Sequence, residues 1–233
     1  PSMLRFYPLS DSTVVQWSLT TVGGQARRTW VEHGPEGVRR EWQQLRVEPP
    51  EVTTLRCNRA DGGISFFSVP FAGQQLSHPA PGGGTYMAWS KNYRIALVAP
   101  DGDTLRVIAR SWPEVRVEDS EWEQATADFR EFQSEWPGAD CDPGSMDRPD
   151  TKAALKNLLV DSEGRLWVEA VSDEGPVWEV FDPDGRLVGS LAGFDYQPRV
   201  APSIRDGRIA WSSIDSLAVE YVHWVRVPEV SSF

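Results

Sequence analysis

Long hydrophobic runs are missing from this sequence. The longest purely apolar stretches, such as residues 95–99, have the length of a strand, whereas a membrane-spanning helix needs about 18 or more apolar residues. No charged-then-apolar leader opens the chain. We therefore predict a chain with no transmembrane segment of its own, which is mature, processed or truncated at its start.

Basic residues are scarce as well. The chain has 23 Lys and Arg against 34 Asp and Glu, a formal net charge of −11. Nucleic-acid binding needs a basic surface that neutralises phosphates, and dispersed acidic residues are typical of a solvated surface. We predict no nucleic-acid partner.

The sequence motifs of the common enzymes are also absent. No G-x-S-x-G, H-E-x-x-H or P-loop occurs. His33, His78 and His223 are isolated from one another, which favours packing or surface roles over general-base chemistry. The sequence predicts no catalytic residue, no metal ligand and no cofactor.

The sequence does contain a regular series of strands at residues 155–191. Four short apolar runs are separated there by Asp-rich turns that contain Gly, and Gly supplies the left-handed conformation that tight hairpins need. Four antiparallel strands in fewer than about 40 residues match the size of one propeller blade. We interpret this segment as a blade.

The two hairpins of this segment carry recognisable motifs. LLVDSEGRLWVEA followed by WEVFDPDGRLVGSL resembles the bacterial six-bladed β-propeller proteins related to NHL repeats, whose blades repeat a D-x-x-G-R-L-W-V hairpin and a V-F-D-P-D-G-R hairpin. The resemblance is close over residues 155–191, weaker over 86–110 and 198–227, and faint before residue 50. It implies an extracytoplasmic propeller, here its C-terminal blades, and leaves the activity open.

The rest of the chain is interpreted as further blades of one domain, residues 1–233. Residues 1–48 form a degraded blade with strands predicted at 12–18, 27–31 and 44–47. Residues 51–112 form a second blade that includes a strand at 64–69 and a proline-rich loop before residue 86. Residues 198–227 supply three strands of a last blade.

The predicted fold class is therefore all-β, a β-propeller of about four antiparallel four-stranded blades. This is fewer than the six blades of the resembling family, and an open arc of blades has unpaired strand edges. Missing N-terminal sequence, a reduced ring or an edge covered by another subunit would each explain the difference. Missing N-terminal sequence is favoured.

Residues 118–150 are predicted to form a helical insertion between blades. Its helix, residues 118–136, begins with a capping box of Ser120 and Glu123 and ends at a Pro-Gly pair. An aromatic stripe repeats at intervals of three and four residues. Docking on the propeller is favoured, and a partner-binding surface is the alternative, made of Trp122, Phe129, Phe132 and Trp136.

The two cysteines, Cys57 and Cys141, have no partners at zinc-ligand spacing. One disulfide, which would tether the insertion to a blade in an oxidising compartment, and two independent buried thiols both fit the sequence.

Acidic turns and tryptophans are the remaining candidate ligand-binding features. The EF-hand spacing is absent around Asp161 and Asp182, so Asx turns are favoured over calcium sites. Core packing is favoured for the eleven tryptophans over an exposed sugar-stacking surface. Five lie in predicted strands and are expected to pack between blades: Trp89, Trp167, Trp178, Trp211 and Trp224. Another five lie in less regular regions: Trp30, Trp42, Trp112, Trp122 and Trp136.

These observations favour a non-enzymatic, periplasmic or extracellular propeller that binds other protein subunits. The hypothesis includes a scaffold subunit peripheral to a larger membrane complex, for example a respiratory or photosynthetic one. The contact surface would be the aromatic helix or an uncovered blade edge. A metal-dependent lactonase at the propeller channel and carbohydrate binding through exposed tryptophans are the alternatives, since propellers host all three functions.

Overall fold

The computed structural model describes residues 6–10, 12–22, 25–45, 49–197, 200 and 202–227. Strands dominate these ranges; in chain order they are β1 Phe6–Ser10, β2 Thr13–Val22, β3 Gln25–Gly34, β4 Gly37–Gln43, β5 Thr54–Asn58, β6 Ile64–Ser68, β7 Gln75–Pro79, β8 Thr85–Trp89, β9 Arg94–Val98, β10 Thr104–Ala109, β11 Asp140–Asp142, β12 Leu155–Val160, β13 Leu166–Ser172, β14 Gly175–Phe181, β15 Leu187–Ala192, β16 Ser203–Arg205, β17 Arg208–Ile214 and β18 Glu220–Arg226. Two helices, α1 Asp119–Ala125 and α2 Ala127–Glu135, lie in the chain between β10 and β11. Neither described helix has the length and apolar character that crossing a membrane requires.

Four of the sheets are blades, in which each strand pairs with the next strand of the chain. The first blade has the order β1-β2-β3-β4, the second blade β7-β8-β9-β10 and the third blade β12-β13-β14-β15. The last blade, β16-β17-β18, has three strands within the described residues. The described residues therefore form an all-β propeller of three four-stranded blades and one three-stranded blade, which confirms the predicted fold class.

The blades stack face to face. Tyr7 of the first blade packs edge-on against His78 of the second, with ring centroids 4.8 Å apart. One buried apolar cluster joins the second blade to the third, and another joins the third blade to the last through Trp178 and Ile209. Residues of β1, β7, β12 and β16 line a cavity of about 260 Å³. The innermost strands of the four blades thus border a common channel.

Asp-rich turns set the hairpins of the third blade. Asp161 Oδ1 accepts the backbone N–H groups two and four residues further on, both at 2.9 Å. Asp182 Oδ1 does the same at 2.9 and 2.8 Å. Gly164 and Gly185 adopt φ of 78° and 81° in these turns, a region that a Cβ would strain. The Asx-turn interpretation of these aspartates is confirmed.

A fifth sheet, called here the side sheet, has the order β11-β5-β6. The prediction that residues 64–69 belong to the second blade is wrong, because β6 pairs with β5, and the blade begins at β7 in the stretch predicted as a loop. The third strand of the side sheet, β11, comes from the insertion. Local sequence could not show this pairing, since β5 and β11 are far apart in the chain.

The insertion contains two helices instead of the single predicted one. The capping box is Glu118 with Glu121 and not Ser120 with Glu123. The first helix ends at Ala125, and the hydroxyl of the following residue, Thr126, donates to the carbonyl of Trp122 at 2.7 Å. This bond competes with regular helix geometry.

One predicted strand of the first blade is also misplaced. Residues 44–47 were expected to be extended, but β4 ends at Gln43 and residues 44 and 45 lie outside any strand. Residues 46–48 lie outside the described part of the chain.

Candidate functional site

The outer side of the last blade exposes a group of large apolar side chains, called here the last-blade surface. Its strand residues are Val222 and Trp224, which are 77% and 65% exposed, with Ile214 beside them. Leu217 and Val219 extend it into the β17–β18 turn, and both are exposed. Contiguous exposed apolar side chains of this size are typical of binding surfaces.

Strand alternation places these side chains on one face. In the β17–β18 register, Val222 lies opposite Ser212 and Trp224 lies opposite Ala210. Opposed residues share a face of the sheet and successive residues alternate between faces. The other face carries Ile209 and Trp211, which pack toward the third blade. Among the described residues, the last blade therefore packs one face toward the third blade and has no blade packed on the other face.

The turn beneath the surface is held by Asp215. Its Oδ1 accepts the backbone N–H groups of Leu217 and Val219, both at 2.9 Å, and its Oδ2 accepts the Tyr221 hydroxyl at 3.0 Å. These hydrogen bonds lower the pKa of Asp215, led by the bond from Val219. The carboxylate thus remains charged in the conformation that presents Leu217.

The free edge of β18 adds backbone groups to this surface. Within the described residues, β18 pairs with β17 and with no second strand. An unpaired edge presents a row of N–H and C=O groups that another strand can bind. The apolar centre is bordered by charged residues, with Arg208 opposite Arg226 at one end and Glu220 at the other.

Two buried glutamates of the third blade form a second cluster of functional groups. Glu169 on β13 and Glu179 on β14 are both almost fully buried. Glu169 lies opposite Trp178, the neighbour of Glu179, so the two carboxylates are on opposite faces of the blade. One faces the last-blade side and the other the second-blade side.

Each carboxylate is matched by a tyrosine and a cation. The hydroxyl of Tyr93 and the guanidinium of Arg110, both from the second-blade side, donate to Glu179. Burial, followed by the hydrogen bond to Glu179, raises the pKa of Tyr93. Because a buried charge needs a partner, these contacts tie the third blade to the second.

The other carboxylate has an equivalent pair. Tyr196 donates its hydroxyl to Glu169 at 2.5 Å, and Lys156 Nζ lies 2.9 Å from the other carboxylate oxygen. Burial and then the hydrogen bond to Glu169 raise the pKa of Tyr196. Sequence analysis missed both glutamates; the available signal was a charged residue at an inward position of an otherwise apolar strand.

The predicted aromatic stripe lies against the side sheet. Phe129 and Phe132 are buried, with their ring centroids 5.0 and 4.8 Å from that of Phe67 on β6. Trp122 and Trp136 are partly buried at the margin of the same cluster. The structure therefore brings all four residues together, and its two phenylalanines contribute to internal packing. A partner-binding role for this stripe stays a prediction.

Cys57 and Cys141 form a disulfide with an S–S distance of 2.07 Å. They lie opposite each other on β5 and β11. The bond thus joins the insertion to the side sheet, and not to a blade strand.

The tryptophans divide differently from the sequence prediction. Trp224 was expected to pack between blades, and this is wrong because the last blade has no neighbour on that face among the described residues. Core packing was favoured for Trp30 and Trp42 although they lie in less regular regions, and both are buried. Trp42 Nε1 donates to Thr85 of the second blade at 3.0 Å.

Groups of three or more His, Cys, Asp or Glu side chains suited to holding a metal ion do not occur among the described residues. The lactonase hypothesis stays untested.

No protein-family model matches the chain, and no curated protein matches it. Among solved structures, the chain is similar to a Bacteroides caccae protein of unknown function, with 10% identity and a TM-score of 0.32. That match covers 100% of this chain and 60% of the other, so the chain spans less than two thirds of that protein's length.

Two further solved structures are similar to the chain at comparable sequence identities and TM-scores. A streptogramin B lyase is 11% identical with a TM-score of 0.35, over 97% of this chain and 68% of the lyase. The calcium-binding protein regucalcin from Agrobacterium tumefaciens is 11% identical with a TM-score of 0.32, over 98% and 78%. Likeness at this level decides neither family nor activity.

Proposed function

We propose that this propeller is a non-enzymatic binding module that docks another protein on the last-blade surface. The observation that carries the proposal is the combination, among the described residues, of an unpaired edge on β18 with exposed Val222 and Trp224 on the same strand. Burying such side chains against a partner is favourable by about 25 cal/mol per Å² of apolar surface.

The surface has the composition of a protein interface. Aromatic and aliphatic side chains occupy its centre, and arginines and a glutamate border it, an arrangement typical of recognition surfaces. The guanidinium of Arg208 lies over the Trp224 ring, 5.4 Å from its centroid. A partner segment in an extended conformation would pair with β18 through its backbone and cover the open face with alternate side chains.

The compartment of the proposed function is extracytoplasmic. The Cys57–Cys141 disulfide supports this, because such bonds persist in oxidising compartments. We place the protein as a peripheral subunit of a larger, membrane-associated assembly, in which the propeller serves as a scaffold.

Site-specific photo-crosslinking in the full-length protein tests the docking surface. A photoreactive phenylalanine is introduced at Trp224, and at Phe66 as the control, since Phe66 is 66% exposed on the side sheet. We expect position 224 to crosslink one partner protein at a fixed ratio in native extracts and position 66 to give no such product. Mass spectrometry identifies the crosslinked residues.

Three results would overturn the proposal. They are the lack of any intermolecular product from position 224, equal products from both positions, and a crosslink from position 224 to another part of the same polypeptide. Trp224→Lys should also release the partner, whereas Phe66→Lys should not. Protection of β18 amides from hydrogen exchange in the complex distinguishes strand addition from contact through side chains alone.

A further inference from the structure

A second cavity, larger than the channel cavity, opens between the first blade and the innermost strands of the second and third. Its volume is about 680 Å³, within the range of about 300–1,000 Å³ that is usual for small-molecule sites. It shares no residue with the last-blade surface, so an inference about it is independent of the proposed docking function.

Aromatic rings form much of its wall. Trp17 on β2 and Tyr7 on β1 contribute from the first blade, and Tyr196 contributes from the segment that precedes the last blade. All three are only partly buried. Partly exposed rings in a concave site bind the apolar faces of ring-shaped ligands.

The charged residues of the cleft are both cations. Arg28 and Lys156 line it, and none of its described lining residues is acidic, although the chain as a whole has a net charge of −11. The cation of Arg28 lies 5.7 Å from the centroid of the Trp17 ring, and that of Lys156 lies 5.0 Å from the centroid of the Tyr196 ring. Each cation is thus held beside one of the aromatic walls.

The two cations differ in what neutralises them. Lys156 pairs with the buried carboxylate of Glu169. Arg28 is exposed and has no carboxylate partner among the described residues. Arg28 is therefore the residue whose charge is available to an anionic ligand, and a guanidinium binds a carboxylate through two parallel hydrogen bonds.

Side-chain amides supply the remaining polar contacts. Asn157 donates to the Tyr196 hydroxyl at 3.2 Å and has a second N–H. Gln74 is exposed at the same cleft. Amides of this kind exchange hydrogen bonds with hydroxyl groups.

We propose that this cleft binds an acidic sugar, a uronic-acid unit of an oligosaccharide. The sugar ring would stack on Trp17, its hydroxyls would contact Asn157 and Gln74, and its carboxylate would pair with Arg28. These aromatic, amide and cationic groups together fit a ligand with an apolar ring face, several hydroxyls and a negative charge. A neutral sugar lacks the charge, and an inorganic anion lacks the ring face.

Isothermal titration calorimetry of the full chain with trigalacturonic acid tests the proposal. The fully methyl-esterified trimer is the matched ligand, because it keeps the rings and hydroxyls but loses the charges. We expect the acid to bind at least tenfold more tightly than the ester. Arg28→Gln should weaken binding of the acid about tenfold and leave binding of the ester unchanged.

Arg186→Gln is the control variant, since Arg186 is 78% exposed, pairs with Asp184 in another turn and lies outside the cleft. It should leave binding unchanged. Trp17→Leu should weaken both ligands, provided that circular dichroism shows a retained fold. No binding of the acid, equal affinity for acid and ester, or equal losses in Arg28→Gln and Arg186→Gln would each overturn the inference.

Discussion

Strand β14 of the third blade and strand β18 of the last blade each carry a tryptophan next to a valine, and the two rings have opposite surroundings. Trp178 is 1% exposed, whereas Trp224 is 65% exposed. In the part of the chain that the structure describes, the third blade has a neighbouring blade on each face, and the last blade has one on a single face. Burial in this molecule thus depends on the neighbouring blade more than on the strand's own pattern.

The glutamates of the third and last blades also differ in their burial and in their partners. Glu169 and Glu179 of the third blade are buried and each meets a tyrosine and a cation from another element. Glu220, at the start of β18, is exposed and accepts a hydrogen bond from Gln197 at 3.0 Å. A carboxylate covered on both sides needs dedicated partners, since its desolvation would otherwise be costly, whereas an exposed one can use water.

The largest expected effect comes from truncating the two tryptophans. Trp178→Ala should lower the free energy of unfolding by about 3–5 kcal/mol, because it leaves a cavity in a packed core. Trp224→Ala should change it by no more than about 0.5 kcal/mol, as an exposed site does. Urea unfolding followed by circular dichroism measures both. Similar losses in the two variants would break the comparison between the blades.

His78 gives a pH-dependent effect at a covered interface. Burial lowers its pKa from the ordinary 6.5 to about 4, and a hydrogen bond with the Pro79 carbonyl offsets part of this shift. The unfolded chain takes up a proton below pH 6.5, while the folded protein does not until about pH 4. The contribution of neutral His78 to the free energy of unfolding is therefore fully present above pH 6.5. It falls by about 3 kcal/mol as the pH drops to 4.

Unfolding free energies of the wild type and of His78→Gln between pH 7 and pH 4 measure this contribution. The variant should lose most of the slope. His223→Gln, in the last blade, should retain the slope that His78 causes. A variant at position 78 that keeps the full pH dependence would contradict the assignment to His78.

Removing the two tyrosine–glutamate hydrogen bonds is expected to lower the free energy of unfolding by amounts that differ less. Tyr93→Phe leaves Glu179 short of a donor in a buried interface and should cost about 1–3 kcal/mol. Tyr196→Phe should fall at the lower end of that range, because Tyr196 is only partly buried. Denaturant unfolding at pH 7 measures both, and a larger loss at Tyr196 would reverse the order.

The same variants are expected to differ from the wild type in how their stability depends on pH above 10. Both tyrosines have a pKa raised above the ordinary 10.0, so each stabilises the fold fully below pH 10. As the pH rises beyond 10, the unfolded chain ionises first and the stability declines. Each Phe variant should show a weaker decline than the wild type.

Much of the third blade could be predicted from the sequence. The strands at β12–β15 and the aspartate turns between them follow from apolar runs and Asp–Gly chemistry within a few residues. The three strands of the last blade were expected within residues 198–227 as well, and β16, β17 and β18 lie there. Residues near one another in the chain decide such features.

The side sheet and the candidate sites were not predictable in the same way. Strand β6 was assigned to the wrong sheet; it pairs with β5, and the third strand of that sheet, β11, lies beyond the whole second blade in the chain. The buried glutamates gave only the weak signal of a charge inside an apolar strand. The cleft draws on β1, β2, β3, β7 and β12, which no local pattern relates to one another.

By itself the sequence determined the all-β class, the hairpins and the aspartate turns, because backbone conformation and strand alternation depend on neighbouring residues. The tertiary structure decided which faces are covered and which groups meet. Tyr93 donates a hydrogen bond to Glu179, which is 86 residues away in the sequence, and Cys57 is bonded to Cys141, which is 84 residues away. Such contacts arise only when stacked blades and paired strands bring distant parts of the chain together, and the open face of the last blade results from the same stacking.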